Sequence, residues 1–564
     1  MAVVLGIHIG HDAACAVVAD GRPAAAIQLE RVSRHKHHGL AVLSDELPIS
    51  ECLALAGADL GCVDLIVSSF QAIAPGGCGL HLPVVDPTFS TFDNFDARHR
   101  VISHHLAHAW SAVAAARFEP CAVLVSDLAG STTLDGNDFD LTFSEFYAAT
   151  TSGRAIQAVL TEQLSMYRFD GATLHLLTRD FVTSHSGPRS FVCSPASLYE
   201  NVTARLFDAP GSHGQTMALA AFASETCPDR IPRAEDMVEI TANQVQWRND
   251  WQHRIPWQAE REELVALAHS CQQATEWSLA AHARDAVARA DERHLAVAGG
   301  SFLNILANSR LASDLGRPPS IPSAPHDAGI ALGCAWAGWA RLCGVETAIP
   351  TDDDRLGSSI DVRAGLRALE RLPEQIQVCD VGVEEVVRRL AAGQIVARAA
   401  GRAEYGPRAL GARSLLAAPY SLEAKSRLNA IKGRQSWRPV APIVTAEGAA
   451  ERFDGPLPSP FMTFAHRIRP RAVDRLAALA HADGTTRAQT LARSDDPWLH
   501  DVLVGFGHNT GHPVLVNTSL NGRGEPLVET AEDAVSFFAR HCDVDALLLN
   551  TVLVERATEL GADR

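Results

Sequence analysis

Two stretches of this chain carry residue types and spacings that could do chemistry. The first is Ser103-His104-His105-Leu106-Ala107-His108-Ala109. On a helix, residues four apart share a face, so His104 and His108 can present imidazole nitrogens to one metal ion. A lone pair of this kind arises by chance in a chain with 24 histidines. Two carboxylates at strand or turn ends, Asp127 and Asp327, add weight to it. Two imidazoles and two carboxylates suit Fe(II), Mn(II) or Zn(II), and the nitrogen and oxygen set leans towards Fe or Mn. The second stretch runs from Gly401 to Pro439, where Arg402, Arg408, Arg413, Lys425, Arg427, Lys432, Arg434 and Arg438 face only Glu404 and Glu423. Crowded guanidinium forks repel one another unless an anion sits among them, and Arg suits bidentate phosphate recognition. A solvated basic face is the plainer reading. The Gly-Pro-Arg and Arg-Pro turns, with interleaved Leu410, Leu415 and Leu416, favour a phosphate pocket.

Near the start, His11-Asp12 and the loop Glu30–His38 supply an acid/base candidate, His11, and a cation, Lys36. A chain of 564 residues is too long for one core. Its composition is that of a globular protein, and no apolar run reaches the length that spans a bilayer. The formal charge of −17 argues against general nucleic-acid binding. Scattered cysteines without CxxC pairs and the lack of a signal-peptide pattern lead us to expect a cytoplasmic protein with reduced thiols.

These groups need scaffolding, and the pattern supplies it. Val3–Ile7 and Ala14–Ala19 read as strands joined through the polar turn Gly10-His11-Asp12, with a hairpin turn at Asp20-Gly21 closing the second. Asp64–Ser69 and Ala122–Ser126 read as further strands, the latter ending on Asp127. A long helix is expected from about Glu262 to Arg289. Leu295–Ala298 enters Gly299-Gly300 and a helix over SFLNILANSRL, and another helix starts after Asp327. Two strand, Gly-rich turn and helix halves suggest a duplicated α/β domain with a cleft. Ile349–Leu356 reads as a linker, which puts a boundary near residue 355. Beyond it Val383–Ala392 reads as a helix, and Gln394–Arg398 and Pro513–Asn517 as strands.

Eleven motifs follow one another in an order shared with a known family: HDAACAVVADG, LERVSRHKH, HHLAHA, Asp127, HGQTMALA, GGSFLN, PHDAGIALG, GRAEYGPRALGARS, KGRQSWRPVAP, TTRAQT and NTSLNGRGEP. By these the chain resembles the NodU/CmcH carbamoyltransferases, enzymes of antibiotic and nodulation-factor biosynthesis. The resemblance implies an α/β protein with an actin-like, duplicated, metal-dependent carbamoyl-transfer domain at 1–354. It implies a YrdC-like domain at 355–564 in which carbamoyl phosphate and ATP give carbamoyl adenylate and pyrophosphate. By motif position Arg408, Lys432, Arg438, Arg487, Asn517, Ser519 and Arg523 would hold carbamoyl phosphate and ATP, with Mg2+ accompanying the nucleotide. His104, His108, Asp127 and Asp327 would bind a divalent metal, Fe2+ by family. His11 would be the base, Lys36 a polarising cation, and Gly214, Gly299, Gly300 and Asn304 would line a nucleotide. The partners implied are carbamoyl phosphate, ATP and a hydroxylated natural-product acceptor, without nucleic acid or membrane, in a homodimer. Phe89, Phe92 and Phe95 are candidates for an acceptor-facing loop.

The chain departs from the family where Leu128-Ala129-Gly130-Ser131 replaces Gly-x-Gly-Glu after Asp127. His213-Gly214-Gln215 also replaces Glu-Gly-Lys, and Gln435 stands for an acid. A tRNA-modifying relative would want a basic surface, and a hydrogenase-maturing one paired CxxC zinc motifs. A non-catalytic, actin-like scaffold would leave the basic pocket and the histidine pair without a role.

Overall fold

The computed structural model describes residues 2–71, 84–133, 136–151, 160–183, 192–207, 212–223, 231–255, 260–373, 375–420 and 422–557. It divides into two compact units, one of Met1–Glu30 with His37–Asp352 and one of Arg31–Lys36 with Asp353–Arg564.

The first unit begins with strands β1 (Val3–Ile9), β2 (Ala14–Ala19), β3 (Arg22–Gln28), β4 (Leu65–Phe70) and β5 (His99–Ile102). Together with β8 (Asp140–Thr142) they form a sheet in the order β3-β2-β1-β4-β5-β8. β1 is buried along its whole length, which is why it reads as an apolar run without alternation. The β2–β3 turn at Asp20-Gly21 has φ of 49° and 74°, the twist a two-residue hairpin favours. A second sheet runs β10-β9-β6-β13, with β6 (Cys121–Ser126), β9 (Leu160–Phe169), β10 (Leu174–Thr183) and β13 (Leu295–Ala298). The short β7 (Thr132–Thr133) also pairs with β9, and β11 (Val238–Thr241) with β12 (Gln244–Trp247) makes a separate hairpin.

In each sheet the first strand has an antiparallel meander on one side and a parallel strand on the other. That repeated connectivity is what a duplicated α/β domain looks like. Helices α1 (His104–Ala115), α2 (Arg261–Ala290), α3 (Ile305–Leu315) and α4 (Gly329–Cys343) pack on these sheets. α4 approaches α1 so closely that a Cβ on Gly333 would lie 1.8 Å from the Ala107 carbonyl oxygen. Only glycine fits there, and the contact fixes α1 against the helix that follows Asp327. The stretch SFLNILANSRL is not one helix: a 3-10 turn over Gly300–Leu303 precedes α3, and the Asn304 side chain caps α3 by accepting from Ala307 N.

The second unit is built on an eight-stranded sheet in the order β14-β24-β23-β15-β16-β22-β17-β21. Its strands are β14 (Ile376–Asp380), β15 (Val396–Ala399), β16 (Arg413–Ala417), β17 (Ala441–Thr445), β21 (Gln489–Leu491), β22 (Val514–Ser519), β23 (Ala546–Leu549) and β24 (Val552–Arg556). A small sheet of β18 (Phe453–Asp454), β19 (His466–Ile468) and β20 (Thr485–Thr486) stands beside it. Neighbouring residues such as Leu415 and Leu416, or Leu547 and Leu548, enter different apolar clusters, so both faces are covered. Helices α5 (Val383–Ala391), α6 (Leu422–Ile431) and α7 (Pro497–Thr510) flank this sheet. The segment Arg31–Lys36 belongs to this unit: Arg31 donates to the Gly406 carbonyl at 2.7 Å and Arg34 to that of Leu527 at 2.9 Å.

Candidate functional site

α1 starts immediately after β5 and carries His104 and His108 on one buried face. Ser131 Oγ accepts from His104 N at 2.9 Å and Glu162 from His105 N at 3.3 Å, so orphan donors of the first turn are satisfied. Ser131 thus caps the helix that bears both histidines. The two imidazoles face Asp127, at the end of β6, and Asp327, just before α4. His104 Nε2 lies 3.3 Å from Asp127 Oδ2 and 3.6 Å from Asp327 Oδ1. His108 Nε2 lies 3.8 and 3.5 Å from the same two oxygens. All four residues are buried, and their donor atoms lie within 4.8 Å of one another.

Each carboxylate turns one oxygen to the histidines while its other oxygen is held elsewhere. Asp127 Oδ1 accepts from Gly300 N at 3.3 Å, and Asp327 Oδ2 from Gln71 Nε2 at 2.8 Å. His108 Nε2 is buried without a hydrogen-bond partner, although it points into this group. Two imidazoles, two carboxylate oxygens and an orphaned ring nitrogen fit a divalent cation. Burial opposes charge on His104, but the carboxylates of Asp327 and Asp127 outweigh it and raise its pKa to about 10. That attraction for a proton is attraction for any cation.

His8, on β1, was not picked out from the sequence. Its Nε2 is 4.0 Å from Asp327 Oδ2 and 3.0 Å from the His11 carbonyl oxygen, and burial lowers its pKa to about 4. The signal available was a histidine inside an otherwise apolar central strand, where a polar ring needs a partner.

His11 sits on the β1–β2 turn, more exposed than the cluster. Its Nδ1 lies 2.7 Å from Asp12 Oδ2, and His37 Nδ1 lies 2.9 Å from Asp12 Oδ1. The hydrogen bond to Asp12 raises the His11 pKa to about 9 against the opposing effect of burial. Asp12 fixes the ring so that Nε2 points away from it, the arrangement a proton acceptor needs.

Of the residues expected to line a nucleotide, Gly299 and Gly300 lie beside Asp127. Gly299 has φ of 106°, and a Cβ there would lie 2.2 Å from the Ser126 carbonyl oxygen. Asn304 is engaged at both ends of its amide by Gln272 on α2, at 3.0 Å each. Gly214 is exposed on a helix over His213–Ala220, where His213 pairs with Glu200 at 2.6 Å.

The second unit sorts the basic window into two groups. Arg413 is fully buried and donates to carbonyls of Ser358, Ala400, Gly401, Ala412 and Glu529. Arg402 binds the Leu356 and Gly357 carbonyls, and Arg427 binds Asp545. These three hold the fold. Arg408, Arg438 and Arg487 have no side-chain acceptor among the described residues, and Arg487 Nε is buried without one. Arg434, part of the basic window but not of the set the resemblance implies, binds Asn429 through Nε at 2.8 Å. Burial and then the charge of Arg438 lower the pKa of both Arg408 and Arg434 to about 10. Burial and the charges of Arg408, Arg434 and Arg438 depress that of Arg487 still more. Because the charges of Arg408, Arg434 and Arg438 all act on Arg487, these guanidiniums share one neighbourhood.

Hydrogen bonds hold the backbone that frames them. Glu404 Oε1 accepts from Leu410, Ala412 and Arg413 N, and Asn517 Nδ2 donates to the Ala409 carbonyl at 3.0 Å. Both hold the loop that carries Arg408. Lys432, just after α6, donates to the Ser519 carbonyl, Ser519 Oγ at 2.8 Å, the Asn521 carbonyl at 2.9 Å and Asn521 Oδ1. Its ammonium therefore fastens the end of β22, and its pKa is lowered by burial and by Arg434 and Lys36. Arg523 packs near Gly433, where a Cβ would meet its Cδ at 2.8 Å.

Residues 387–556 match the family described as the carbamoyltransferase C-terminus. Over 98% of its length the chain is 29% identical to nodulation protein NolNO of Sinorhizobium fredii, covering 80% of that protein. The chain belongs to the carbamoyltransferases. Nodulation protein NolO of Bradyrhizobium diazoefficiens is 35% identical to this carbamoyltransferase over 46% of the chain, and nodulation protein U of Sinorhizobium fredii 36% over 43%. Those matched segments span 49% and 42% of the two relatives. Full-length HypF in its phosphate- and nucleotide-bound form superposes with a TM-score of 0.37 at 12% identity, over 61% of this chain and 56% of that one, a likeness that carries no argument. Among the described residues of the carbamoyltransferase, no helix is long and apolar enough to cross a membrane.

Proposed function

We propose that this carbamoyltransferase is an ATP-dependent O-carbamoyltransferase acting on a hydroxyl of a small-molecule natural product. The observation that carries the reading is the group of half-buried guanidiniums, Arg408, Arg434, Arg438 and Arg487, with so few acceptors of their own. Leaving such charges unpaired costs several kcal/mol each even after relaxation, and a polyanion offsets that cost. Carbamoyl phosphate and ATP-Mg2+ are polyanions of the right kind. In this reading the second unit is a YrdC-like activating domain. Water releases the phosphoryl group of carbamoyl phosphate as orthophosphate. The freed carbamate oxygen then attacks the α-phosphorus of ATP and the bond to pyrophosphate breaks, leaving carbamoyl adenylate. The arginines hold the phosphates in line and offset the charge that builds on the leaving group. Lys432, Ser519 and Asn517 hold the walls of the pocket, and Arg523 and Lys36 add positive charge at its edge.

The first unit is then the actin-like transfer domain. The acceptor oxygen attacks the carbamoyl carbon, the bond to AMP breaks, and the hydroxyl proton passes to His11 Nε2. Asp12 stabilises the imidazolium that results, and a positioned base of this kind contributes about 10²–10⁴-fold. A divalent ion held by His104, His108, Asp127 and Asp327, Fe2+ by family and Fe or Mn by donor set, would supply a Lewis acid beside the leaving phosphate. Gly299 and Gly300 let the backbone approach the nucleotide. The reading is tested by pyrophosphate and AMP release: pyrophosphate is expected only when carbamoyl phosphate accompanies ATP, and AMP only when an acceptor is present as well, with a carbamoyl mass gain on the acceptor. ATP breakdown indifferent to carbamoyl phosphate would defeat it.

A further inference from the structure

Gln71 follows β4 directly and reaches three partners with one amide. Its Oε1 accepts from His11 N at 2.8 Å, and its Nε2 donates to Asp327 Oδ2 at 2.8 Å and to the Ala129 carbonyl at 3.0 Å. The amide has only one workable orientation. Turned over, it would set NH2 against the His11 N–H and a carbonyl against a carboxylate. Its backbone is fixed as well, since Gln71 N donates to the Ile9 carbonyl at 2.8 Å. The β1–β2 turn is pressed against it: a Cβ on Gly10 would lie 2.6 Å from Gln71 Cβ. His8 closes the other side, with Nε2 near both the His11 carbonyl and Asp327. One side chain thus touches the backbone of the proposed base and the outer oxygen of a proposed metal ligand.

We propose that Gln71 is a positioning residue that keeps the His11 turn in register with the Asp327 carboxylate. It does so by holding Oδ2 outward, so that Oδ1 faces His104 and His108 at 3.6 and 3.5 Å. The consequence is that Asp327 presents a single oxygen to the histidines and that the base keeps a fixed separation from the cluster. The part concerning catalysis rests on the function proposed above; the part concerning cation affinity does not. Hydrogen-bond partners of ligating groups typically govern about 10–100-fold in metal affinity, and small displacements of a reacting group cost about 10²-fold in rate.

The test uses the full chain with Gln71→Met, which keeps volume and removes all three side-chain hydrogen bonds, and Gln71→Ala as a second variant. Fe2+ and Mn2+ affinities are measured by competition with a chelator, and folding by thermal melting. Pyrophosphate–ATP exchange with carbamoyl phosphate reads the second unit, and acceptor carbamoylation at saturating metal reads the first. Expected are a metal affinity weakened about 10–100-fold and a transfer kcat lowered about 10-fold or more at unchanged acceptor KM, with exchange at the wild-type rate. A folded Gln71→Met protein with metal affinity and transfer within twofold of wild type would overturn the proposal. So would an equal loss of exchange. If wild type itself transfers no carbamoyl group, the functional reading fails, while the metal titration still decides the role of Gln71.

Discussion

The two charged centres are built on opposite plans. In the first unit's centre opposite charges meet: two imidazoles face two carboxylates, and the outer carboxylate oxygens are tied to Gln71 and Gly300. In the second unit like charges crowd together, and Arg408, Arg438 and Arg487 meet no acceptor among the described residues. A balanced cluster can stand preassembled with its geometry set before any ligand arrives. A one-signed cluster is stabilised only when an anion enters, so binding and ordering are coupled there. The difference suits a division between a centre that must hold atoms in place and one that must gather phosphates.

The largest effect that would break this contrast is loss of the anion site. Arg408→Ala combined with Arg438→Ala is expected to lower carbamoyl-phosphate-dependent pyrophosphate–ATP exchange by about 10⁴-fold, at about 10²-fold or more for each charge. Metal content measured on the same protein is expected to stay at wild type; a parallel fall in metal would show that the centres are not separate. A smaller effect concerns pH. A base must lose its proton to act, and Asp12 raises the His11 pKa to about 9, so the transfer rate is expected to climb with pH until about that value. Asp12→Asn removes the main cause of the shift and should move the limb down towards the ordinary imidazole value of about 6.5. A limb that stays in place would detach His11 from the step. The mildest effect sharpens the contrast through stability. Pyrophosphate at about 100 times its Kd adds about 2.7 kcal/mol to the second unit and should raise its melting temperature by roughly 5–10 °C. Arg487→Ala should remove most of that shift, and the first unit's melting should not respond.

How far these centres were legible from the sequence depends on how local their information is. His104 and His108 lie a helical turn apart, so spacing alone placed them on one face. Asp127 and Asp327 ended strand or turn signals, which sets them at the rim where ligands gather. β2 and β13 fall on the boundaries read from residue pattern, and α2 differs from its expected span by a residue at each end. The helix expected over SFLNILANSRL starts only at Ile305, because Asn304 caps it rather than continuing a helix from Ser301.

What stayed hidden was tertiary. Nothing in the local sequence of Gln71 says that its amide meets His11 and Asp327, because those partners arrive from other strands. Arg413 and Arg408 look alike in the basic window, yet carbonyls enclose the first while the second faces other guanidiniums. Lys432 looks like a phosphate ligand by motif, and its ammonium proves to be engaged by Ser519 and Asn521. The segment Arg31–Lys36, which begins within a short helix over Leu29–Ser33, lies early in the chain but belongs with the second unit, a placement that no reading by order along the sequence anticipates.

The central claim is that the second unit activates a carbamoyl group and the first delivers it. His11→Ala tests it most directly, with pyrophosphate–ATP exchange and carbamoylated product measured on one preparation supplied with carbamoyl phosphate, ATP and a hydroxylated acceptor. Exchange at the wild-type rate with product formation reduced about 10²–10⁴-fold is the predicted result. Loss of exchange in step with product, or product formed at the wild-type rate, would contradict it.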